Sequence, residues 1–402
     1  MSTYGLEGVL AWSQALHVAV TSGRPLPAIA ARLDEAASSI LAKDLTLLTD
    51  DPSADCAQWE GYAICAEGPW IEVTDSRLRP GECRFLSTSE PIPDHTDAVI
   101  ATAGVEARKA ADSSVIVIAL DPLTGVIDET VRPTLGDGIV KQAARATIGS
   151  TLVEQGRLVT PAVLALAAAT GHDTVEIIRP PVVGTLVLGR TLLSQGLPRD
   201  GRIRDALGDA VAAFAGAQGA RSNPPMRAPD TAKLLLEHID DANVDILITT
   251  GSTAPTPDNH VRQVLSDLGA RWLIDGVASA PGTQMLLAKL PDGRFVVGLP
   301  GDPASALAGL ITIVAPLIRA MRGAAQVPPT NAVLVDQAPL GDYEDDTRLV
   351  PVALEKSGAN TVAKILAPST AHLAGWANAD GIAVVAPGSG APGSVVPVIA
   401  LQ

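Results

Sequence analysis

Two apolar runs in the middle of the chain each end in a turn, and a helical pattern follows each turn. The first run, 245–250, breaks into a Gly/Ser/Thr/Pro-rich turn, and the second, 295–299, breaks at 300–303 into a helical pattern over 304–322. Strands that alternate with helices in this way are typical of an open α/β sheet, in which ligands bind at the carboxyl ends of the strands. The free backbone N–H groups of a helix start favour an anion. The pattern therefore predicts a site for a small anionic ligand.

The alternation of strands and helices extends over residues 182–326. It begins with a nearly continuous apolar run, 182–189, of the kind that forms a parallel strand buried on both faces. A Pro-Asp-Gly turn at 291–293 separates a further apolar run, 285–289, from the strand that ends at residue 299. We predict a doubly wound α/β domain for this part of the chain.

The segments on either side of this domain have other patterns. Residues 5–48 are predicted to be helical, most clearly over 28–41, and a helical pattern returns at 149–171. Short apolar runs broken by Gly and Pro fill 59–131 and the tail, which indicates two small β domains. We therefore predict a multidomain α/β protein made of a discontinuous helical N-terminal domain (1–50 and 139–181), an inserted small β domain (51–138), the α/β domain (182–326) and a C-terminal small β-barrel domain (327–402).

Composition and charge narrow the possible functions. Of the 402 residues, 47 % are hydrophobic but only 3 % are aromatic, so the core must be built from Ala, Val, Leu and Ile. A net charge of −15 argues against nucleic acid as a partner, because binding its phosphates needs a basic face. No apolar run reaches the roughly 20 residues that span a membrane, and the N-terminus lacks a signal pattern. We expect a cytoplasmic protein with no membrane partner and with reduced cysteines.

Six short motifs, in order along the chain, resemble those of the MoeA / gephyrin E-domain family, the molybdopterin molybdenumtransferases. Each motif alone is weak evidence, but their order and spacing over almost the whole chain make the resemblance strong. The motifs are 39–44 (SILAKD, similar to ILAEDV), 59–64 (WEGYAI, to MDGYAV), 87–93 (STSEPIP, to TGAPVP), 201–205 (GRIRD, to GQIYD), 248–251 (ITTG, to the start of TTGGVSVG) and 298–306 (GLPGDPASA, to GLPGNPVSA).

The resemblance implies a fold of four parts like the one predicted, with a MogA-like α/β domain, in an elongated homodimer. It implies an enzyme of molybdenum cofactor biosynthesis that inserts molybdate into adenylylated molybdopterin and releases AMP. A divalent metal such as Mg²⁺ would be held by carboxylate oxygens and would stabilise charge at the cleaved phosphate. The cleft of such enzymes lies between the α/β domain and the β domain of the partner chain.

The positions that match the family motifs indicate which residues are expected to form the site. The carboxylates Glu60 and Asp205 are the expected catalytic and metal-binding residues. The expected substrate-binding residues are Thr88, Gly251, Ser252, Asp258, Asn259, Pro300, Gly301, Asp302, Pro303 and Ser305. Structural alternatives stay open, because Asp302 could be only an N-cap, Asp205 a surface helix residue and Glu60 a turn residue without metal.

The chain departs from the family pattern at charged positions. The segment 280–284 (APGTQ) replaces the expected KPGKP, and Asp302 stands where an Asn is expected. Both acids of the expected STGDE are missing at 188–191 (LGRT), and Arg145 stands at an acidic position. Each lost lysine removes a charge-assisted contact worth about 1.5–3 kcal/mol, so anion binding should weaken. The arginines that could supply the missing charge are Arg145, Arg190, Arg202 and Arg204.

Two functions therefore remain open. The first is a diverged molybdenumtransferase, which the retained Glu60, Thr88, Asp205 and the segment 298–306 favour. The second is a catalytically impaired paralogue that keeps the fold and binds molybdopterin or the cofactor as a carrier or scaffold. The lost lysines and the arginines at 145 and 190 favour this second function. We favour the enzyme as the statement of the family role.

Overall fold

A computed structural model of the chain describes residues 8–131, 133–358, 360–366 and 373–401. The chain divides into two compact units. The larger unit consists of the described residues up to Ala42, of Gly156–Thr160 and of those from Glu176 on. The smaller unit consists of Lys43–Gln155 and Pro161–Val175. The four-part division with boundaries near 50, 138, 181 and 326 stays a prediction.

The described residues form short helices and many short strands. The helices are α1 (Trp12–Ser22), α2 (Pro161–Ala169), α3 (Gly208–Ala217), α4 (Ala232–Asp241), α5 (Val261–Asp267), α6 (Pro303–Gly309), α7 (Ala315–Met321) and α8 (Ala374–Ala377), with a 3₁₀ turn at Thr102–Gly104 and a π-helical turn at Leu310–Val314. The strands are β1 (Leu10–Ala11), β2 (Ala28–Arg32), β3 (Ile40–Leu41), β4 (Leu45–Thr46), β5 (Cys56–Ala57), β6 (Gly61–Ile64), β7 (Trp70–Glu72), β8 (Glu82–Leu86), β9 (Ala98–Ala101), β10 (Val105–Lys109), β11 (Val115–Ala119), β12 (Ile139–Val140), β13 (Thr151–Val153), β14 (Thr174–Ile178), β15 (Val182–Leu188), β16 (Leu192–Leu193), β17 (Ile203–Arg204), β18 (Arg221–Ser222), β19 (Met226–Ala228), β20 (Ile246–Thr250), β21 (Arg271–Asp275), β22 (Val277–Ala280), β23 (Leu286–Lys289), β24 (Phe295–Leu299), β25 (Thr330–Leu334), β26 (Thr347–Ser357), β27 (Asn360–Ile365), β28 (Gly381–Val385) and β29 (Val395–Ala400).

The centre of the larger unit is a sheet with the strand order β18-β15-β20-β24-β23-β21, and β19 also pairs with β15. Strands β15, β20 and β24 are parallel, so their carboxyl ends lie at one edge, as predicted. Strands β23 and β24, however, form an antiparallel pair. The turn between them is too short for a crossover, since Leu290 N donates to Arg294 O at 2.8 Å. The doubly wound α/β domain is confirmed, with this antiparallel edge as the difference.

Helices cover both faces of the central sheet. On one face lie α1, α3 and the continuous helix Pro303–Met321, whose buried side chains include Val211, Ile313 and Leu317. On the other face lie α4 and α5, whose buried side chains include Leu235, Ile239 and Val264. Burial on both faces explains why the strands are apolar throughout rather than alternating. Helix α1 belongs to the first face, because Trp12 Nε1 donates to Thr312 Oγ1 at 2.9 Å.

The prediction of a helix over 28–41 is wrong. This segment forms the strands β2 and β3, which lie on either side of β14 in a three-stranded sheet. Alanines at 28, 30 and 31 favour a helix locally, but an isolated helix of this length is only marginally stable without tertiary packing. Strand pairing with a distant part of the chain therefore overrides the local preference.

The last part of the larger unit is a small closed barrel, as predicted. Strand β26 pairs with both β27 and β28, which closes the ring β26-β27-β25-β29-β28. Its interior is lined by small and branched side chains such as Leu334, Val352 and Ala383. Strand β22 pairs with the start of β26, so the barrel adjoins the α/β part of the same unit.

The smaller unit is built around a six-stranded sheet with the order β10-β11-β7-β8-β6-β9. All its strands lie between Gly61 and Ala119, within the region predicted to be a small β domain. Helix α2 begins at Pro161, within the segment 149–171 that is predicted to have a helical pattern. Within the described residues, one helix, Pro303–Met321, is long and apolar enough to cross a membrane, but 78 % of its most apolar window is buried inside the protein.

Candidate functional site

Three loops converge at the carboxyl edge of the parallel strands. Gly251 N, just after β20, donates to Leu299 O, the last residue of β24, at 2.8 Å. A Cβ atom on Gly251 would lie 3.0 Å from Leu188 O, and a Cβ atom on Gly301 would lie 3.5 Å from Gly251 Cα. Gly251 also has a φ of +82°, and Ser252 follows with a φ of +61°. Close approach and left-handed backbone together explain why the resembled motif has two glycines at these positions.

The loop after β20 is organised by its own side chains. Ser252 Oγ accepts a hydrogen bond from His260 N at 2.9 Å, just before α5 begins. Asn259 Nδ2 donates to Thr256 Oγ1 at 2.6 Å, and Asp258 is exposed. Ser252 and Asn259 therefore shape the loop, and their predicted substrate contacts stay predictions.

The turn 300–303 begins the central helix, and it carries a negative charge, the carboxylate of Asp302. Asp302 is the N-cap, with Oδ2 accepting a hydrogen bond from Ser305 N at 2.9 Å, and Pro303 is the first helical residue. Asp302 is thus an N-cap, and its expected contact with the substrate stays a prediction. Its carboxylate occupies the position next to the positive end of the helix that was expected to attract an anionic ligand. Asp302 weakens that expectation, because a second anion there would be repelled.

A cavity of about 570 Å³ lies between the α/β part and the barrel of the larger unit. The predicted residues Pro300, Gly301, Asp302 and Ser305 line it, together with the turn 280–284, the barrel residues 348–351 and Trp376. Asp342 places a second carboxylate in the wall. The positions where the resembled family has lysines, Ala280 and Thr283, line the cavity with uncharged side chains.

Arg348 supplies the positive charge in the cavity wall, but backbone carbonyls already occupy its guanidinium. Nη1 donates to Pro339 O at 3.1 Å, and Nη2 donates to Ala386 O at 2.7 Å and to Ser389 O at 2.6 Å. Burial lowers the pKa of Arg348. The side chain therefore holds three barrel segments together and neutralises only part of the charge of the two aspartates.

Asp205 is satisfied by protein groups. Its Oδ1 accepts hydrogen bonds from Leu207 N at 2.9 Å and Gly208 N at 3.0 Å, and its Oδ2 accepts one from Arg227 Nε at 2.8 Å. Burial alone would raise the pKa of Asp205, but these hydrogen bonds and the charge of Arg227 outweigh it and lower the pKa. The side chain is 2 % exposed. The surface-helix alternative is thus wrong.

The remaining expected residues lie in the smaller unit. Glu60 is exposed and precedes β6, and its backbone carbonyl accepts a hydrogen bond from Thr102 N at 3.1 Å. Thr88 is exposed in a turn that Glu90 closes by accepting a hydrogen bond from Ser87 N at 3.0 Å. Arg145 forms an ion pair with Asp51 at 3.4 Å. The expected roles of Glu60 and Thr88 stay predictions.

Comparison with known proteins gives the family. Residues 10–171 match the family model described as the MoeA N-terminal region (domain I and II), and residues 184–320 match the probable molybdopterin binding domain. The crystal structure of the Pyrococcus horikoshii molybdopterin biosynthesis MoeA protein superposes with a TM-score of 0.75 at 22 % identity, covering 98 % of this chain and 99 % of that one. The chain belongs to the MoeA family.

Two curated relatives extend this result. The molybdopterin molybdenumtransferase of Bacillus subtilis is 29 % identical over 71 % of this chain and 69 % of its own. That of Staphylococcus aureus (strain N315) is 24 % identical over 79 % of this chain and 77 % of its own. A second Pyrococcus horikoshii MoeA structure has a TM-score of 0.67 at 18 % identity, which supports the same fold.

The MoeA motifs missed three residues that the structure brings to these sites. Arg227 is the partner of Asp205 but comes from β19, outside any motif quoted. Trp376 and Arg348 belong to the barrel side of the cavity. Only Arg348 left a signal in the sequence, because an arginine beside the apolar run 349–354 is unusual in a buried strand.

Proposed function

We propose that the protein is a molybdopterin molybdenumtransferase of molybdenum cofactor biosynthesis, which inserts molybdate into adenylylated molybdopterin and releases AMP. One observation carries the proposal: the Gly251 and Gly301 loops meet at the carboxyl edge of the sheet, and the Gly301 loop also lines the 570 Å³ cavity. Open α/β sheets bind ligands at this edge. The MoeA membership and the names of the curated relatives supply the reaction.

The residues of the cavity suit the uncharged parts of such a substrate. Trp376 contributes aromatic surface to the wall, against which a flat heterocycle can pack. Thr283 and Ser305 contribute hydroxyl groups, which can donate or accept hydrogen bonds. Asp302 and Asp342 oppose a phosphate at the same place. We therefore propose that the cavity binds the ring systems of the substrate. The charged groups of the substrate would then contact the loops at the sheet edge.

Magnesium was expected at Glu60 and Asp205, and the larger unit does not offer a ready site for it. The oxygens of Asp205 accept three hydrogen bonds, and Arg227 neutralises the charge. Within the described residues, no group of three or more His, Cys, Asp or Glu side chains could hold an ion. Asp205 thus does not fit a resident metal, and we derive no step through one. A magnesium ion in this proposal enters with the substrate phosphates.

The assembly and the location belong to the same proposal. We propose a homodimer, as the family resemblance implies, acting in the cytoplasm on a small molecule. The net charge of −15 supports a function without nucleic acid. The burial of Pro303–Met321 supports one without a membrane.

The alternative, a carrier or scaffold without catalysis, rests on the uncharged positions 280 and 283 and on Asp302. The curated relatives described above are named as transferases, which favours the enzyme. The two functions differ in one measurable product. Molybdate-dependent release of AMP from adenylylated molybdopterin supports the transferase, whereas binding of the substrate without release supports the carrier.

A further inference from the structure

The segment 189–204 is strongly basic within an acidic chain. It contains four arginines and one aspartate, although the whole chain has a net charge of −15. The segment follows β15 directly and folds back so that β16 pairs with β17. It then leads into Asp205, whose partner Arg227 pairs in the sheet with Val187, near the carboxyl end of β15. The basic segment therefore lies at the same sheet edge as the Gly251 and Gly301 loops.

The arginines of this segment differ in what their guanidinium groups contact. Arg190 Nη2 donates to Asp230 O at 3.1 Å, and Arg202 Nη2 donates to Leu192 O at 3.0 Å. Arg204 Nη1 is buried and, within the residues that the structure describes, has no hydrogen-bond partner. Ile203 is 59 % exposed, and because side chains alternate along a strand, Arg204 lies on the inner face of this strand pair.

A buried cationic donor without a partner is unfavourable for folding alone, so a ligand that pairs with it is the simplest reason for its presence. The guanidinium fork matches the oxygens of phosphate-like anions better than a single ammonium does. The cavity next to the Gly301 loop offers such an anion two aspartates and neutral residues at 280 and 283, and the guanidinium of Arg348 in its wall already donates to three backbone carbonyls. The positive charge for an anion must therefore come from elsewhere at this edge.

We propose that Arg204 turns its guanidinium to bind a tetrahedral oxyanion of the substrate, and so replaces the lysines expected at 280 and 283. This movement gives Nη1, which is buried and has no hydrogen-bond partner within the described residues, an acceptor. This inference rests on the proposed function, whose reaction offers two such anions, a phosphate of adenylylated molybdopterin and molybdate. Either anion accepts a charge-assisted hydrogen bond from the guanidinium, and no covalent step involves Arg204. The residue thereby sets which end of the substrate faces the basic segment.

Calorimetric titration of the full chain with AMP, adenosine and molybdate tests the assignment. Arg204→Gln removes the guanidinium. The matched control, Arg221→Gln, removes the same charge at the amino end of β15, where Arg221 pairs with Val182. We expect Arg204→Gln to lower the affinity for AMP or for molybdate about ten- to a hundredfold, and the anion affected identifies the source. Adenosine binding and the Arg221→Gln control should match the wild-type protein.

Thermal unfolding distinguishes this role from a structural one. Because Nη1 has no partner among the described residues, Arg204→Gln should keep or raise the unfolding midpoint, whereas loss of a structural arginine would lower it by several degrees, on the order of 2–4 °C. Unchanged affinity of Arg204→Gln for both anions would overturn the inference, as would wild-type protein that binds neither AMP nor molybdate better than adenosine. Absence of AMP release by the wild-type protein bears on the proposed function alone.

Discussion

Asp205 Oδ2 accepts a hydrogen bond from Arg227 Nε at 2.8 Å, and this pair joins the loop before α3 to strand β19. The carboxylate is almost fully buried, while Arg227 is 31 % exposed. A carboxylate whose other oxygen also accepts two backbone N–H groups is held in one orientation. The relationship makes Asp205 a structural group at the sheet edge, whatever further part it takes in the reaction.

Asp205→Ala should therefore lower stability as well as activity. It leaves Arg227 and two backbone donors without their acceptor, at a cost of about 2–3 kcal/mol in the free energy of unfolding of the larger unit. Urea denaturation measures this. Asp209→Ala is the matched control, because Asp209 lies 3.6 Å from the same guanidinium but is 78 % exposed, and it should cost under about 0.5 kcal/mol. Equal stability of the two variants would contradict the structural role.

The same pair predicts a pH dependence. The pKa of Asp205 in the folded protein lies below its ordinary value of 3.8. Its stabilising contribution is therefore complete well above that pH and is lost as the pH falls through the folded-state pKa. The stability difference between wild-type protein and Asp205→Asn should be constant from about pH 6 to 7 and shrink below about pH 4. A difference that grows on acidification would contradict the direction of this pKa shift.

Asp302→Asn should strengthen anion binding without harming the fold. Asparagine caps a helix about as well as aspartate, so the bond from Ser305 N can persist. Removing the negative charge at the helix start should raise the affinity for AMP by about 1 kcal/mol, or roughly fivefold. Asp302→Ala, which also loses the cap, should lower stability by about 1 kcal/mol. Titration calorimetry and thermal unfolding of both variants distinguish the effect of the Asp302 charge from the effect of the N-cap hydrogen bond. Unchanged AMP affinity in both variants would exclude an anion near this turn.

Restoring lysines at the cavity should also increase anion affinity. Ala280 and Thr283 line the cavity at the positions where the resembled family motif has lysine. The double variant Ala280→Lys/Thr283→Lys should bind AMP at least about tenfold more tightly, since each good charge-assisted contact is worth about 1.5–3 kcal/mol. The double glutamine variant is the control for side-chain length without charge. If the lysine and glutamine variants bind AMP equally, the phosphate at the sheet-edge loops lies beyond the reach of a lysine at 280 or 283.

Close packing around Gly61 explains why the motif at 59–64 has a glycine at this position. A Cβ atom there would lie 2.0 Å from Ile100 O, a backbone atom that cannot move aside. Gly61→Ala should lower the stability of the smaller unit by about 3 kcal/mol or more, seen as an earlier thermal transition. Gly216→Ala in α3 is the control, because nothing lies within 4 Å of its Cβ position, and it should stabilise by about 0.5–1 kcal/mol. If Gly61→Ala unfolds at the same temperature as the wild-type protein, strand β6 can shift to make room for the added Cβ atom.

The turn chemistry of the sequence was sufficient to predict the framework of the α/β domain. The apolar runs that end before Gly251 and Pro300 predicted the parallel strands β20 and β24. The Asp-Pro pair at 302–303 predicted the start of the central helix. The direction of β23 could have been predicted as well, because a turn of a few residues cannot join parallel strands. These features depend on residues that are close in sequence.

The features that the sequence did not predict depend on residues far apart in the chain. Strand β2 is determined by pairing in a sheet with β14, more than a hundred residues away, and its alanines point to a helix. Arg227 meets Asp205 from 22 residues away, with no pattern that links them. The same holds for Arg348, whose partners lie up to 41 residues away. Motif matching located the cavity wall, but the charges that decide what binds there come from tertiary contacts.

The most direct measurement is AMP release by purified protein from adenylylated molybdopterin, with molybdate added or omitted. A transferase releases AMP only with molybdate, and release should rise when Asp302 is changed to Asn and fall in Arg204→Gln. Tight binding of adenylylated molybdopterin without molybdate-dependent release, in the wild-type protein and in the lysine-restored variant alike, would contradict the transferase and leave a carrier built on the MoeA fold.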